Sequence, residues 1–280
     1  MNMSLLLSKF GLSALLGTLT INGFIERGMN NPDIETYKPI DTVSIIVPSF
    51  NEERFIKKSL SSIRGQSILH EYPEMFEIIL VDSGSTDNTV PIAESYVDRL
   101  ITTKIRGKLT ARNLATTHSR GNIIVSVDSD SYYPPHWLNT LLEPFNNILD
   151  PNYDPNIVAV IGSSYDPYVP GIPTILWTFG HVLDRTILSP TRMAGRNHAY
   201  WKHTFYQAGL FDETINQMNI KEMINEEEYK FGERLSKLGK IKFKLNANCT
   251  HLGGQRIGCR LGTSDKATCS TQGISIERFG

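Results

Sequence analysis

The sequence has few cysteines, no excess of either charge and no apolar run long enough to cross a membrane. Its three cysteines, Cys249, Cys259 and Cys269, include no C-x-x-C pair, which disfavours a zinc finger or a disulfide-stapled fold and suits a reducing compartment. The formal net charge of -1 provides no general attraction to nucleic acid or to an anionic membrane. The 280 residues, 40% of them hydrophobic, suffice for one large domain with a sizeable core.

The N-terminal segment, residues 1–28, bears on the location of the protein. Its apolar stretch from Phe10 to Ile25 has 16 residues and includes three glycines, whereas a spanning helix needs about 20 mostly apolar residues. A basic start and an A-x-A-like cleavage site are both absent. The segment therefore favours a helix packed on the domain or on a neighbour, or attachment to a membrane surface, over a transmembrane span or a signal peptide. We predict a cytoplasmic protein, peripheral to a membrane in the second case.

Beyond a polar connector at 28–41, short apolar segments alternate with segments of helical periodicity. The pattern predicts strands at 42–50, 77–85, 99–103, 122–128 and 158–165, and helices at 52–67, from 89 onward, and at 108–119, 175–188 and 224–240. This alternation predicts an α/β fold with a largely parallel sheet covered on both faces. In such sheets, ligands bind at the carboxyl ends of the strands.

Two aspartates, Asp128 and Asp130, follow one predicted strand with only Ser129 between them. If the strand continues through them, their side chains point the same way, and two like charges then need a cation or solvent between them. Carboxylates without nearby Cys or His favour a hard divalent ion, Mg²⁺ or Mn²⁺, whose shell is completed by water and phosphate oxygens. The alternative is an ordinary acidic turn after a strand.

Two earlier strands also end in polar loops, PSFNE at 48–52 and VDSGSTDNT at 81–89. In the second loop, Asp82 follows the strand directly and Gly84 permits close approach of the backbone to a ligand. Ser85 or Asp87 is placed to cap the next helix, whose N–H groups favour an anion. Three carboxylate-bearing loops at one sheet edge favour the metal and phosphate interpretation.

The motifs VSIIVPSFNE, IILVDSGSTDNT, ARNLA, IIVSVDSDSYYPPHWL and GLFDE together resemble family 2 glycosyltransferases with the GT-A fold, over roughly residues 42–252. The resemblance implies a mixed, mostly parallel central sheet flanked by helices. It also implies a metal-dependent, inverting enzyme that moves one sugar from a nucleotide-diphosphate donor, preferably UDP-linked, to a hydroxyl of a glycan, lipid or protein. We accordingly divide the chain into an N-terminal hydrophobic helix and linker (1–40), a glycosyltransferase domain (41–255, with a nucleotide-binding half at 41–135 and an acceptor-side half at 136–255) and a tail (256–280).

The resemblance also implies roles for individual residues. Asp128, Ser129 and Asp130 correspond to the DXD motif, in which Asp130 binds the metal and Asp128 lies by the ribose and the metal. His251 stands where some GT-A enzymes place a third metal ligand, although a lone histidine is more often structural. The other residues that the resemblance implies for nucleotide-sugar binding are Pro48, Phe50, Glu52, Asp82, Ser83, Gly195 and Asn197. Arg106, Lys108 and Arg112 are either diphosphate contacts or surface charges.

Three adjacent glutamates, Glu226, Glu227 and Glu228, are candidates for the catalytic base that direct displacement requires. They also suit the acidic first turn of a helix, which needs no catalytic role. The family pattern ED-x-D-L-x-x-R-L places Glu228 at the base and Glu227 just before it. Lys230 departs from that pattern, and glutamate replaces the usual aspartate, so both Glu227 and Glu228 remain candidates.

Several alternatives stay open. Trp201 either stacks on a sugar ring or packs in the core, and the basic stretch 234–266 is either a solvated face or a phosphate-binding patch. GQRIGCR does not match the Q-x-x-R-W signature of processive members, which favours transfer of a single sugar.

Two other enzyme classes lack support in the sequence. A sugar nucleotidyltransferase would carry a G-x-G-T-R-L loop after the first strand, and this loop is absent. A dinucleotide-binding oxidoreductase would carry a G-x-G-x-x-G motif after a strand, and this motif is absent too. A nucleotide-sugar-binding protein without turnover is the non-enzymatic alternative.

Overall fold

The computed structural model describes residues 41–146, 153–165, 196–214 and 221–253, together with Leu183, Thr191 and Met193. The strands are β1 (Val43–Ser49), β2 (Phe76–Asp82), β3 (Arg99–Thr102), β4 (Ile123–Val127), β5 (Ser131–Tyr132), β6 (Ile157–Tyr165), β7 (Asn197–Trp201) and β8 (Lys240–His251). The helices are α1 (Ile56–Arg64), α2 (Ser67–Glu71), α3 (Thr89–Ala93), α4 (Lys108–His118), α5 (Trp137–Leu142), α6 (Lys202–Gln207) and α7 (Lys221–Ser236), with 3₁₀ turns at Pro73–Met75 and Glu143–Phe145.

These eight strands form one mixed sheet in the order β3-β2-β1-β4-β7-β6-β8-β5. Strands β3, β2, β1 and β4 run parallel, β7 is antiparallel to both β4 and β6, and β8 runs parallel to β6. The parallel half brings the carboxyl ends of β1, β2 and β4 to one edge. The predicted fold class is confirmed, and strands from both halves of the chain share the sheet.

The core occupies both faces of the sheet because side chains alternate along each buried strand. On one face, Ile45 belongs to a cluster with Leu60 of α1 and Trp137 of α5. On the other face, Ile46 belongs to a cluster with Leu109 of α4 and Phe231 of α7. Helix α1 meets the sheet through apolar residues spaced three and four apart, Ile56, Leu60 and Ile63, all fully buried. The sheet and its helical layers therefore fix α4 and α7 on the same side.

The structure differs from the sequence-based expectation in several places. Strand β4 ends at Val127, so Asp128 to Asp130 lie in a turn rather than in an extended strand. No strand or helix was predicted between residues 193 and 213, where the structure has β7 and α6. Strand β8, Lys240–His251, was not predicted, because its lysines and asparagines mask the alternation of Ile241, Phe243 and Leu245.

Other predictions fall outside the described residues, namely the N-terminal segment 1–40, most of the helix predicted at 175–188, and the tail 256–280. Within the part of the chain that the structure describes, no helix combines the length and the hydrophobicity needed to cross a bilayer.

Candidate active site

A cavity of about 310 Å³ opens at the sheet edge where β1, β2 and β4 end. It gathers nine residues that the sequence analysis named as candidates, Pro48, Phe50, Glu52, Ser83, Arg106, Lys108, Asp128, Ser129 and Asp130, and adds Ser49 and Gly107. The guanidinium of Arg106 lies over the ring of Phe50, 4.6 Å from its centroid, so that a cation and an aromatic face border the opening together. The loops that the sequence predicted to converge do converge here.

Asp82 lies beneath this cavity and holds the shape of the loop after β2. Its carboxylate accepts hydrogen bonds from the backbone N–H groups of Gly84 (3.0 Å) and Ser85 (2.8 Å), and from the Ser85 hydroxyl. Gly84 has φ +81°, a left-handed conformation that glycine adopts without strain. Asp82 is buried and is not among the residues that line the cavity, whereas its neighbour Ser83 is.

The turn that carries Asp128 and Asp130 is fixed by hydrogen bonds from distant parts of the chain. The backbone N–H of Asp128 donates to the Tyr133 hydroxyl (3.0 Å), which in turn donates to the carbonyl oxygen of Arg196 (2.9 Å). The N–H of Leu252 donates to the carbonyl oxygen of Asp130 (2.7 Å), so the end of β8 is held against the turn. The backbone conformation of the acidic pair is therefore set by β8 and by the entry to β7.

Asp128 is surrounded by cationic side chains of the protein. Lys108 Nζ lies 3.0 Å from its Oδ1, Arg112 Nη2 lies 3.0 Å from the same oxygen, and Arg196 Nε lies 3.8 Å from Oδ2. Arg112 also contacts Glu228, through Nη1, and Lys108 Nζ lies 3.8 Å from Glu228 Oε1. The Arg112 side chain is 0% exposed, and it joins the sheet edge to helix α7 from inside the protein. Arg112 is therefore an internal bridge between two carboxylates, whereas Lys108 lines the cavity.

These contacts decide the charge states of the two carboxylates. Burial by itself raises the pKa of Asp128, but the charges of Lys108, Arg112 and Arg196 outweigh it and hold the pKa below its usual range. Burial likewise raises the pKa of Glu228, while the charges of Lys108 and Arg112 lower it, and the net direction is downward. Both side chains are thus ionised at neutral pH, and a buried carboxylate without such partners would cost several kcal/mol.

The lowered pKa values predict how stability depends on pH. A carboxylate whose pKa is lower in the folded state stabilises the fold fully above its unfolded pKa, about 3.9 for aspartate, and loses that contribution progressively as the pH falls from the unfolded pKa towards the folded one. We expect the melting temperature of the metal-free protein in EDTA to fall more steeply from pH 6 to pH 3 than that of Asp128→Asn. Identical slopes for the two proteins would show that Asp128 is not held ionised by its neighbours.

Asp130 and His251 form a second pair, with His251 Nε2 3.1 Å from Asp130 Oδ2. Burial raises the pKa of Asp130, but the hydrogen bond and charge of His251 outweigh this effect. The net shift of the pKa is downward, so the carboxylate is ionised. Gly253 closes over the pair: a Cβ atom there would lie 2.5 Å from Asp130 Oδ2 and 3.0 Å from His251 Nε2. Only glycine at this position leaves the space beside Asp130 Oδ2 and His251 Nε2 open.

The carboxylate of Asp130 and the imidazole of His251 fit a divalent cation whose remaining coordination positions are filled by substrate and water. A carboxylate and an imidazole suit Mn²⁺ better than Mg²⁺, which prefers oxygen ligands alone. Among the described residues, no group of three or more His, Cys, Asp or Glu side chains is arranged to hold a metal ion. Asp130 and His251 would therefore hold the ion, together with phosphate oxygens, and Asp128 would join them only if it left its cationic partners.

The three glutamates of α7 have different surroundings. Glu226 is more than half exposed and pairs with Lys230 at 2.7 Å. Glu227 is buried and accepts hydrogen bonds from the backbone N–H of Asp212 (3.0 Å) and from Arg234 (2.8 Å), which ties α7 to the GLFDE segment. Glu228 alone joins the cluster at the sheet edge, through Arg112 and Lys108. The contacts of Glu227 are structural, and those of Glu228 lead to the cavity.

Two other predicted residues are not brought to the cavity. Arg112 is buried behind it, and the Asn197 amide is used inside the sheet, accepting from the Trp137 indole (2.9 Å) and donating to the carbonyl oxygens of Ser163 (2.6 Å) and Ala247 (2.8 Å). Gly195 lies outside the described residues.

A second cavity, of about 730 Å³, lies at the opposite end of the sheet, beside Asn122 at the start of β4 and Trp201 at the end of β7. Trp201 is partly buried, donates its indole N–H to the carbonyl oxygen of Ile157 (3.1 Å), and packs edge-on against Phe145. These contacts are those of a packing residue, and they place Trp201 away from the cavity that holds the acidic pair.

The sequence matches the model of glycosyl transferase family 2 over residues 44–210, more than half of the chain. The chain belongs to this family. The matched region contains all of β1 except Val43, together with β2, β4, the acidic turn and the whole of the cavity lining. The resemblance inferred from the motifs is therefore confirmed.

Comparison with individual proteins agrees with this assignment. The poly(ribitol-phosphate) β-N-acetylglucosaminyltransferase TarS of Staphylococcus aureus is 35% identical over 96 residues, which are 32% of this chain and 16% of TarS. The mannosyltransferase PcManGT of Pyrobaculum calidifontis, solved with GDP-Man and Mn²⁺, superposes with a TM-score of 0.55 at 20% identity and covers 86% of this chain and 66% of its own. S. aureus TarS 1-349 with UDP-GlcNAc gives a TM-score of 0.52 at 19% identity, over 72% of this chain and 55% of that one. Both structures share the GT-A fold with this protein.

Proposed function

We propose that the protein is an inverting, metal-dependent glycosyltransferase that moves one sugar from a nucleotide-diphosphate donor, preferably a UDP-sugar, to a hydroxyl of a glycan, lipid or protein acceptor. The observation that carries the proposal is the cavity at the carboxyl ends of β1, β2 and β4, which unites the polar loops with the acidic turn. Ligands of open α/β sheets bind at this position. Because the chain spans only 16% of TarS, the activity of the relatives supports the proposal by analogy alone.

The nucleotide part of the donor would occupy the side of the cavity formed by Pro48, Phe50, Glu52 and Ser83. Arg106, held over Phe50, would approach either the base or the diphosphate. Asp82 would act through the loop that it holds, since its carboxylate is engaged by Gly84 and Ser85. The complex of TarS 1-349 with UDP-GlcNAc favours a UDP-sugar, while PcManGT is solved with GDP-Man, so the base is a question for measurement.

Asp130 and His251 would hold Mn²⁺ or Mg²⁺ at the other side of the cavity, near Asp128. When bound, the cation would neutralise the charge that develops on the departing nucleotide diphosphate. Gly253 keeps the space above the two donor atoms free of a side chain. Lys108, which lines the same cavity, provides a further positive charge for the phosphates.

Glu228 would take the proton from the attacking acceptor hydroxyl. It is the one glutamate of the three that reaches the charged cluster, and its lowered pKa keeps it in the ionised form that a base requires. Its side chain is 7% exposed and is not among the residues that line the cavity, so an acceptor hydroxyl reaches it only after a local rearrangement. Glu227 is the less favoured candidate, since Arg234 and the Asp212 backbone already engage it.

A panel of nucleoside diphosphates tests the proposal directly. In the presence of Mn²⁺, one base should raise the melting temperature more than the others, because binding to the native state at 100 times Kd adds about 2.7 kcal/mol to the free energy of unfolding. Slow, Mn²⁺-dependent hydrolysis of the matching nucleotide sugar would separate an enzyme from a nucleotide-sugar-binding protein without turnover. No stabilisation by any nucleoside diphosphate would contradict the proposed function.

A further inference from the structure

The charged cluster contains one member that is able to move. Lys108 is the only residue that both lines the cavity and contacts the two carboxylates Asp128 and Glu228, among the residues that the structure describes. Its side chain is 34% exposed, whereas Arg112, which contacts the same two carboxylates, is 0% exposed. Moving Arg112 would leave a buried cation and a buried anion unpaired, while moving Lys108 only shifts a flexible ammonium group towards the cavity.

We propose that Lys108 is an exchangeable counter-ion, which neutralises Asp128 and Glu228 in the free protein and transfers to the diphosphate when a donor binds. The inference rests on the proposed function and deepens it. The two anionic groups of a diphosphate in the cavity would compete with Asp128 and Glu228 for the Lys108 ammonium. Once Lys108 has moved, Asp128 becomes available to a divalent cation and Glu228 loses a neighbouring cation that lines the cavity.

The exchange gives the site an order of events. Before the donor binds, Lys108 Nζ lies 3.0 Å and 3.1 Å from the two carboxylate oxygens of Asp128 and 3.8 Å from Glu228 Oε1. After the donor binds, Arg112 still holds both carboxylates in place, because its contacts lie inside the protein. Lys108 therefore acts as a positioning residue that couples the donor diphosphate to the exposure of Glu228, and Arg112 preserves the geometry throughout.

The test measures the binding of five ligands to the full chain: UDP, uridine, GDP, guanosine and Mn²⁺ alone. In Lys108→Gln, the affinity for the nucleoside diphosphate should fall by about 10- to 100-fold, the range expected for one hydrogen bond to a charged group, while nucleoside affinity is unchanged. Mn²⁺ alone should bind more tightly to this variant, because a competing cation has been removed. The amplitude of the free-ion electron paramagnetic resonance signal measures this binding. Lys108→Arg should restore diphosphate binding. Lys104→Gln, which changes an exposed lysine in the loop before α4, is the matched control.

A double-mutant cycle tests the link to Glu228. Glu228→Gln should tighten binding of the nucleoside diphosphate in the wild-type background, and this gain should shrink when Lys108 is already glutamine. In the wild-type protein, the resonance of ¹³C-dimethylated Lys108, assigned by its loss in Lys108→Arg, should shift on adding the nucleoside diphosphate and not the nucleoside. This second measurement keeps the inference testable if Lys108→Gln does not fold.

The outcomes separate the two proposals. If the wild-type protein binds no nucleoside diphosphate, the proposed function and this inference both fail. If it binds one and Lys108→Gln leaves that affinity unchanged, or weakens nucleoside and diphosphate equally, only the role of Lys108 is overturned. Opposite shifts in the affinities for Mn²⁺ and for the diphosphate support the exchange, since a residue that merely stabilises the fold would weaken both.

Discussion

Replacing Glu228 with glutamine is expected to lower the rate of sugar transfer by about 10²- to 10⁴-fold, the usual contribution of a general base. Glutamine retains the size of the side chain and an oxygen that accepts a hydrogen bond from Arg112, but it accepts no proton from the acceptor hydroxyl. Nucleotide binding should persist, because Glu228 is not among the residues that line the cavity. The measurement is the initial rate of transfer or donor hydrolysis beside the affinity for the nucleoside diphosphate.

Two neighbouring variants on α7 make this test specific. Glu233→Gln alters an exposed glutamate of the same helix and should transfer sugar at the wild-type rate. Glu227→Gln should lower the melting temperature, since it weakens the contacts with Arg234 and the Asp212 N–H, while chemistry in the folded fraction continues. Full activity of Glu228→Gln, or a selective loss of chemistry in Glu227→Gln, would move the base to another residue.

Asp130→Asn is expected to abolish Mn²⁺-dependent activity and to weaken Mn²⁺ binding by at least about 10- to 100-fold, the loss typical of even an outer-shell metal partner. The amide lacks the negative charge that a divalent cation requires, and it also weakens the pairing with His251. Affinity for the nucleoside diphosphate should become insensitive to Mn²⁺, which isothermal titration with and without the ion would measure.

His251→Gln serves as a second probe of the metal site, and Asp212→Asn serves as the control. Asp212 is an exposed carboxylate that accepts hydrogen bonds from the N–H and hydroxyl of Thr214, so its replacement should leave the Mn²⁺ dependence intact. A smaller loss of Mn²⁺ affinity in His251→Gln than in Asp130→Asn would fit a site with one charged and one neutral ligand. If Asp130→Asn retained full Mn²⁺-dependent activity, the metal would have to be bound elsewhere.

The parts of the fold that the sequence predicted are those set by local patterns. The apolar segments around Ile45, Ile79 and Val125 are short, rich in branched residues and separated by helical periodicity, so β1, β2 and β4 were correctly placed. Because parallel strands end at a common edge, the loops after them were expected to meet, and Phe50, Ser83 and Asp130 do line one cavity. These predictions require only the spacing of residues along the chain.

The parts that were not predicted depend on contacts between distant residues. Arg112 was considered a diphosphate ligand or a surface charge, yet it is fully buried and contacts Glu228, 116 positions away. Asn197 was expected near the donor sugar, but its amide bridges Ser163 and Ala247 within the sheet. Neither the burial of an arginine nor the partners of an amide leaves a periodic signal in the sequence, because both are decided by tertiary packing.

The ion pairs of Asp128 also change the physical account of the acidic pair. The sequence suggested that two aspartates in one strand would repel unless a cation lay between them. In the structure they occupy a turn, Asp128 is neutralised by Lys108 and Arg112, and Asp130 is paired with His251. The protein therefore accommodates both carboxylates before any ligand binds, and a divalent cation has to compete with Lys108 for Asp128.

The most direct measurement of the central claim is the anomalous scattering of manganese in crystals of the full chain grown with Mn²⁺ and the nucleoside diphosphate selected by thermal shift. We predict a manganese peak in coordinating contact with Asp130, the phosphates in the cavity beside Lys108, and a Lys108 ammonium displaced from Asp128. A manganese peak remote from Asp130, or a nucleotide bound in the cavity beside Trp201, would contradict this prediction.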